Sequence, residues 1–115
     1  MSKSWQAYAE HILAAIAKIH RIEARGDIRQ DDILYDAVLR NLQTLSEATQ
    51  RLPQELKSTC PEIPWKEISG VRNILVHNYL GEIDPQAIAR VLSGDLPALE
   101  ACVSRMLSRA KQTPP

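Results

Sequence analysis

Apolar residues recur at intervals of three and four along most of the chain and never alternate over the length of a strand, so this sequence is patterned to bury helix faces. Trp5, Tyr8, Ile12, Ile16 and Ile19 form one such stripe, which predicts a helix from about Ser4 to Arg25, ended by Gly26-Asp27. Leu34, Val38, Leu42, Leu45, Thr49 and Leu52 form a second, opened by a carboxylate cap at Asp31 or Asp32 and closed by Pro53. Residues 53–64 hold three prolines and no helical period, and read as an irregular connection across one end of the molecule. A third helix is expected from Trp65 to about Tyr79, with Ile68, Val71 and Leu75 facing inward and Gly81 beyond its end. Asp84-Pro85 pairs a capping residue with proline at the first helical position and so starts a fourth. Ser93-Gly94 predicts a break in that last helix, after which Asp95 caps a continuation and Leu96, Leu99, Val103, Met106 and Leu107 supply its buried stripe.

The sum is an all-α, antiparallel four-helix bundle with its last helix in two pieces near Gly94. At 115 residues it has room for one core, placed here in residues 1–111, with residues 112–115 as a disordered tail. Lys plus Arg and Asp plus Glu both total 14, so long-range steering of a nucleic acid gets nothing from net charge. A local patch must serve instead: Arg105, Arg109 and Lys111 near the C-terminus, or Lys18, His20, Arg21 and Arg25 on the first helix, either of which is equally well a solvated helix face. Cys60 and Cys102 match no zinc or redox spacing, which predicts two reduced thiols. No apolar run approaches a membrane span and the N-terminus lacks a signal-peptide core, so a soluble, intracellular protein is expected, with no membrane association.

Chemistry concentrates between Gly70 and Tyr79. Gly70 sits inside the third helix, where glycine costs roughly 1 kcal/mol relative to alanine, and either close approach of another helix or a ligand accounts for it or it is a tolerated glycine near a helix crossing. Arg72 and His77 are five residues apart, about 140° around a straight helix, and so do not share a face. Bringing both to one phosphate requires either a loosened helix near His77 or the same segment of a second subunit. Guanidinium and imidazole suit RNA cleavage without metal: one holds phosphate oxygens and offsets developing charge, the other moves protons near neutral pH. Asn73 and Tyr79 add neutral donors, and no carboxylate cluster with Mg²⁺ spacing lies nearby. Spacing alone favours a structural reading, in which His77 interacts with the carbonyls at a helix C-terminus.

The run from Pro64 to Tyr79, with Trp65, Gly70, Arg72-Asn73, His77 and Tyr79 in order and Asp84 beyond, resembles the signature of the HepT-like branch of the HEPN proteins. Arg40 to Ala48 resembles that family's second-helix motif, with Ser46 where glycine usually precedes Glu-Ala. The resemblance extends over essentially the whole chain, including Asp95-Leu96-Pro97. It implies a homodimeric bundle and a metal-independent endoribonuclease acting on tRNA or mRNA, the toxin of a type VII-like toxin–antitoxin pair in a prokaryotic cytoplasm. It also implies that Arg72 and His77 are the catalytic pair and Asn73 their polar support. Tyr79 is then the residue to which a minimal (MNT-type) nucleotidyltransferase antitoxin transfers AMP from ATP, with no other cofactor. Glu47 is expected to order Arg72, Arg40 or a neighbouring helix if buried, and to be a plain surface acid otherwise. Two other readings compete with a nuclease. One is a non-catalytic helical scaffold that holds the nucleotidyltransferase, and the other is a nucleotide-binding domain, which the lack of a Gly-rich phosphate loop disfavours.

Overall fold

A computed structural model of the chain describes residues 4–77 and 85–112, with backbone only for residues 72–77, 87 and 112. The described residues form five helices: α1 (Trp5–Glu23), α2 (Asp32–Thr49), α3 (Gln54–Lys57), α4 (Trp65–His77) and α5 (Pro85–Gln112). Four of these are the predicted helices. The fifth, α3, is a single turn inside the proline-rich connection, started by extended backbone at Pro53 and too short to show a period in sequence.

Caps and turns set the boundaries. Asp31 closes the N-terminus of α2, its Oδ1 accepting from the amides of Ile33 at 2.9 Å and Leu34 at 3.3 Å. Between α1 and α2, Asp27 grips Arg29 by its amide at 2.9 Å and by its guanidinium at 3.1 and 3.0 Å. That guanidinium holds the Asp27 carboxyl below its ordinary range. Ile28, buried, plugs the end of the hairpin beneath this turn.

The helices alternate in direction. Ser46 and Thr49 of α2 meet Ile68 and Ser69 of α4, while Leu42 faces Val71, so α2 and α4 run antiparallel. Glu10 and Leu13 of α1 lie beside Ser104 to Lys111 of α5, and Glu23 lies near Ala89 and Ser93, so α1 and α5 also run antiparallel. The core draws on the predicted stripes, Ile12, Ile16 and Ile19 from α1, Val38, Leu42 and Leu45 from α2, Ile68 from α4, and Leu96, Leu99, Val103 and Met106 from α5, joined by Leu92, with Trp5, Tyr8 and Leu34 only partly buried and the Leu75 side chain outside what is described. Val71 is half-buried at its edge.

Two expectations fail. The last helix is not broken near Gly94: α5 runs from Pro85 to Gln112 with Pro97 inside it, and Asp95 is an interior residue rather than a cap. Proline removes one backbone donor, but Leu92, Leu96, Leu99 and Val103 keep one uninterrupted buried stripe across the site, and packing outweighs the missing bond. The cysteines are not separate thiols either. Cys60, after α3, and Cys102, in α5, are joined as a disulfide across 42 residues of sequence with their Cα atoms 6.5 Å apart. Spacing along the chain carried no sign of this, because the pairing depends on how the connection folds back over α5. The expected tail falls on residues 112–115, of which 113–115 lie outside the described residues.

Candidate active site

The helix that carries Arg72, Asn73 and His77 is located by polar contacts at two places. Where α4 crosses α2, the Ser46 hydroxyl, with no exposed surface, donates to the carbonyls of Ile68 at 2.8 Å and Ser69 at 3.0 Å. Thr49, equally buried, donates its hydroxyl proton to the Ser46 carbonyl at 2.7 Å, which leaves the Ser69 hydroxyl to donate to Thr49 Oγ1 at 3.1 Å. Gln50 Nε2 donates to the Ser69 carbonyl at 3.0 Å. Positions 46, 49 and 50 share one face of α2 by helical spacing, and together they clamp the turn of α4 that precedes Arg72.

At its start, α4 is tied to the connection. The Trp65 indole N–H is shared between the carbonyls of Lys57 and Cys60, each at 3.1 Å, and the Trp65 amide donates to Ile63 at 2.8 Å. The Lys57 ammonium lies 5.9 Å from the indole centroid, and partial burial lowers its pKa from the ordinary lysine value.

Arg72, Asn73 and His77 all fall on α4, which is helical without interruption from Trp65 to His77. The backbone therefore does not loosen between Arg72 and His77, and within one copy the two positions stay about 140° apart around the axis. Tyr79 and Asp84 lie outside the described residues.

Among the described residues nothing lies within 4 Å of where a Gly70 Cβ would be, so no described helix approaches it closely. The tight glycine is Gly26, where a Cβ would meet Leu34 Cδ1 at 3.0 Å. Glu47 is exposed on α2, not buried. It lines a shallow groove of about 590 Å³ with Tyr8, His11, Thr44, Gln50 and Arg51, next to the α2–α4 clamp.

The two basic clusters are not merged into one patch, because residues 104–111 of α5 lie beside the start of α1 while Glu23 and the turn after it lie beside residues 86–93. Among the described residues no three His, Cys, Asp or Glu side chains gather as a metal site. Ser46, noted in sequence only as standing where the family usually has glycine, joins the two motif-bearing helices together with Thr49 and Gln50. The available signal was a small hydroxyl residue beside an apolar stripe, at a position where the resembling family has glycine and where two helices can therefore come close.

The model of the family described as ribonuclease HepT-like matches residues 10–106. The chain belongs to the ribonuclease HepT-like family. A "Putative RNase" of Caldanaerobacter subterraneus subsp. tengcongensis is 33% identical over 112 residues, covering 95% of this chain and 99% of that protein. A "Probable ribonuclease HepT" of Thermococcus cleftensis is 34% identical over 105 residues, covering 87% and 93%. No solved structure matches the chain.

Replacing Ser46 with alanine removes the only side-chain donor from α2 that reaches the Ile68 carbonyl among the described contacts, and is expected to cost about 1–2 kcal/mol. Ser46→Val, which also forces branched bulk into the crossing, should cost more. Urea unfolding checks both, as a lower midpoint at unchanged slope. An Ser46→Ala chain as stable as the parent would show that the clamp does not hold the two helices together.

Proposed function

We propose that this HepT-like chain is a metal-independent endoribonuclease, with Arg72, Asn73 and His77 of α4 as its catalytic residues. The observation that carries the reading is the family match across residues 10–106, which encloses the Arg-Asn and His positions on one continuous helix. Its chemistry follows from the residue types. His77 takes the proton from a ribose 2′-OH, and the 2′-oxygen attacks the adjacent phosphorus as the 5′-oxygen leaves and is protonated. Arg72 binds the phosphate oxygens through its planar fork and offsets the charge that builds on them. Asn73 supplies a neutral donor. The products carry a 2′,3′-cyclic phosphate and a 5′-hydroxyl.

Two copies of the chain pair about α4 to complete the site. Continuity of the helix through His77 supports this reading, since one straight helix cannot turn both residues to one phosphate.

The reading extends to regulation and place. The chain is the toxin of a type VII-like pair in a prokaryotic cytoplasm, acting on tRNA or mRNA, and no described helix is long and apolar enough to cross a membrane. Its partner is an MNT-type nucleotidyltransferase that transfers AMP from ATP to the Tyr79 hydroxyl. The added phosphate is anionic and bulky and sits seven residues from Arg72, so it competes with an RNA phosphate for the guanidinium.

Purified chain free of AMP is expected to cleave RNA in EDTA and leave 2′,3′-cyclic phosphate ends, with His77→Ala slower by roughly 10²–10⁴-fold. Absence of cleavage across total tRNA and mRNA would refute the nuclease and favour the scaffold reading. Mixing Arg72→Ala with His77→Ala chains, each inactive alone, should restore about a quarter of parental activity after subunit exchange if each site draws on two copies. No recovery, with mixed dimers verified, would place both groups of a working site in one copy. Co-expression with the genomic neighbour should raise the intact mass by one AMP, and Tyr79→Phe should abolish the increase. A modified Tyr79→Phe chain would assign the acceptor elsewhere.

A further inference from the structure

We propose that Cys60 and Cys102 form a thiol–disulfide exchange site, gated by Arg105, which couples redox state to the seating of α4. The pair joins α5 to the connection at Cys60, a residue outside any helix. Both cysteines are buried, and the polar group that touches the pair is Arg105, whose guanidinium donates to Cys60 Sγ at 3.3 Å and whose side chain is half exposed. Arg105 also reaches Glu62 at 3.7 Å, so its head can be held aside without losing a partner. Reactive cysteines occupy electropositive, partly accessible surroundings: the guanidinium supplies the first at Cys60, and a shift of its half-exposed head towards Glu62 opens a path to the sulfur while keeping the positive charge nearby.

The exchange balances as follows. In the reduced chain, the Cys60 thiolate, its charge offset by Arg105, attacks one sulfur of a small disulfide and expels one thiolate. The Cys102 thiol, giving its proton to solvent, then attacks Cys60 Sγ and expels the second. Two electrons leave the protein and two small thiols are released. A dithiol reverses the sequence by opening the bond through a mixed disulfide.

The consequence for α4 follows from the Cys60 carbonyl. It accepts from the Trp65 indole at 3.1 Å and from the Ile63 amide at 3.1 Å, so the residue bonded to α5 is the one on which the first residue of α4 rests. Opening the disulfide removes the covalent link between that support and α5, and leaves the Arg105–Glu62 ion pair and apolar packing to hold the start of the helix bearing Arg72.

The test uses the intact chain in its native state, with dithiothreitol and oxidised glutathione as probes and maleimide labelling read by mass. Air-oxidised protein is expected to take up no maleimide, to take up two after native reduction, and to return to none with oxidised glutathione. Arg105→Met should reoxidise roughly tenfold more slowly. Reduction should lower the thermal midpoint by roughly 10 °C and quicken amide exchange at residues 63–68. The double variant Cys60→Ser, Cys102→Ser should show the lower midpoint with no response to reductant. Two free thiols before reduction would overturn the site. A bond that resists dithiothreitol until the chain unfolds would make it a permanent staple and overturn the exchange, and reoxidation of Arg105→Met at the parental rate would overturn the gate. None of these readouts requires RNA cleavage, so they are separable from the nuclease assay.

Discussion

The hydroxyl of Ser46 governs where the chemistry-bearing helix lies. It has no contact with water and one proton to give, and that proton is shared between two successive carbonyls of α4. Apolar packing between α2 and α4 tolerates sliding by fractions of a residue, because Leu42, Leu45, Ile68 and Val71 attract without direction. A hydrogen bond to Ile68 and Ser69 does not tolerate it, since a buried hydroxyl that misses its acceptor bears the full cost of desolvation. The hydrophobic stripes choose which faces meet, and Ser46, Thr49 and Gln50 choose the register.

The stripes themselves were legible in sequence because they are local. Helical periodicity in Trp5–Ile19 and Leu34–Leu45 needs only neighbours three and four residues away, and the observed α1 and α2 follow it to within a few residues. What sequence misplaced were outcomes decided between helices. Gly94 and Pro97 are strong local breakers, yet α5 passes through both because its apolar face is held by the bundle. Cys60 and Cys102 meet because a connection without periodicity folds back over α5, and nothing within either segment encodes that path.

The candidate site divides along the same line. Arg72, Asn73 and His77 were found by family pattern, and their angular separation on α4 follows from helix geometry alone. Sequence left two readings open for each of Gly70 and Glu47, a close approach or a tolerated glycine for the first, a buried acid or a plain surface one for the second. Among the described residues nothing approaches Gly70, and Glu47 lies on the surface, beside the groove between α1 and α2. Ser46 ran the other way, seeming incidental until its contacts across the helix crossing were visible. Chemistry restricts which residue types can react, so a motif can name candidates for that part, whereas many residue types can hold a helix in place.

The position of α1 bears on how the chain comes to be folded. This helix packs against α2, its sequence neighbour, and against α5, which begins some sixty residues after α1 ends. Its pairing with α2 is available as soon as the first hairpin has left the ribosome, whereas the side belonging to α5 stays uncovered until α5 has been made. An incomplete chain thus shows an apolar surface that the finished bundle hides, and closing that surface is a long-range step, made by the same helix that carries Cys102.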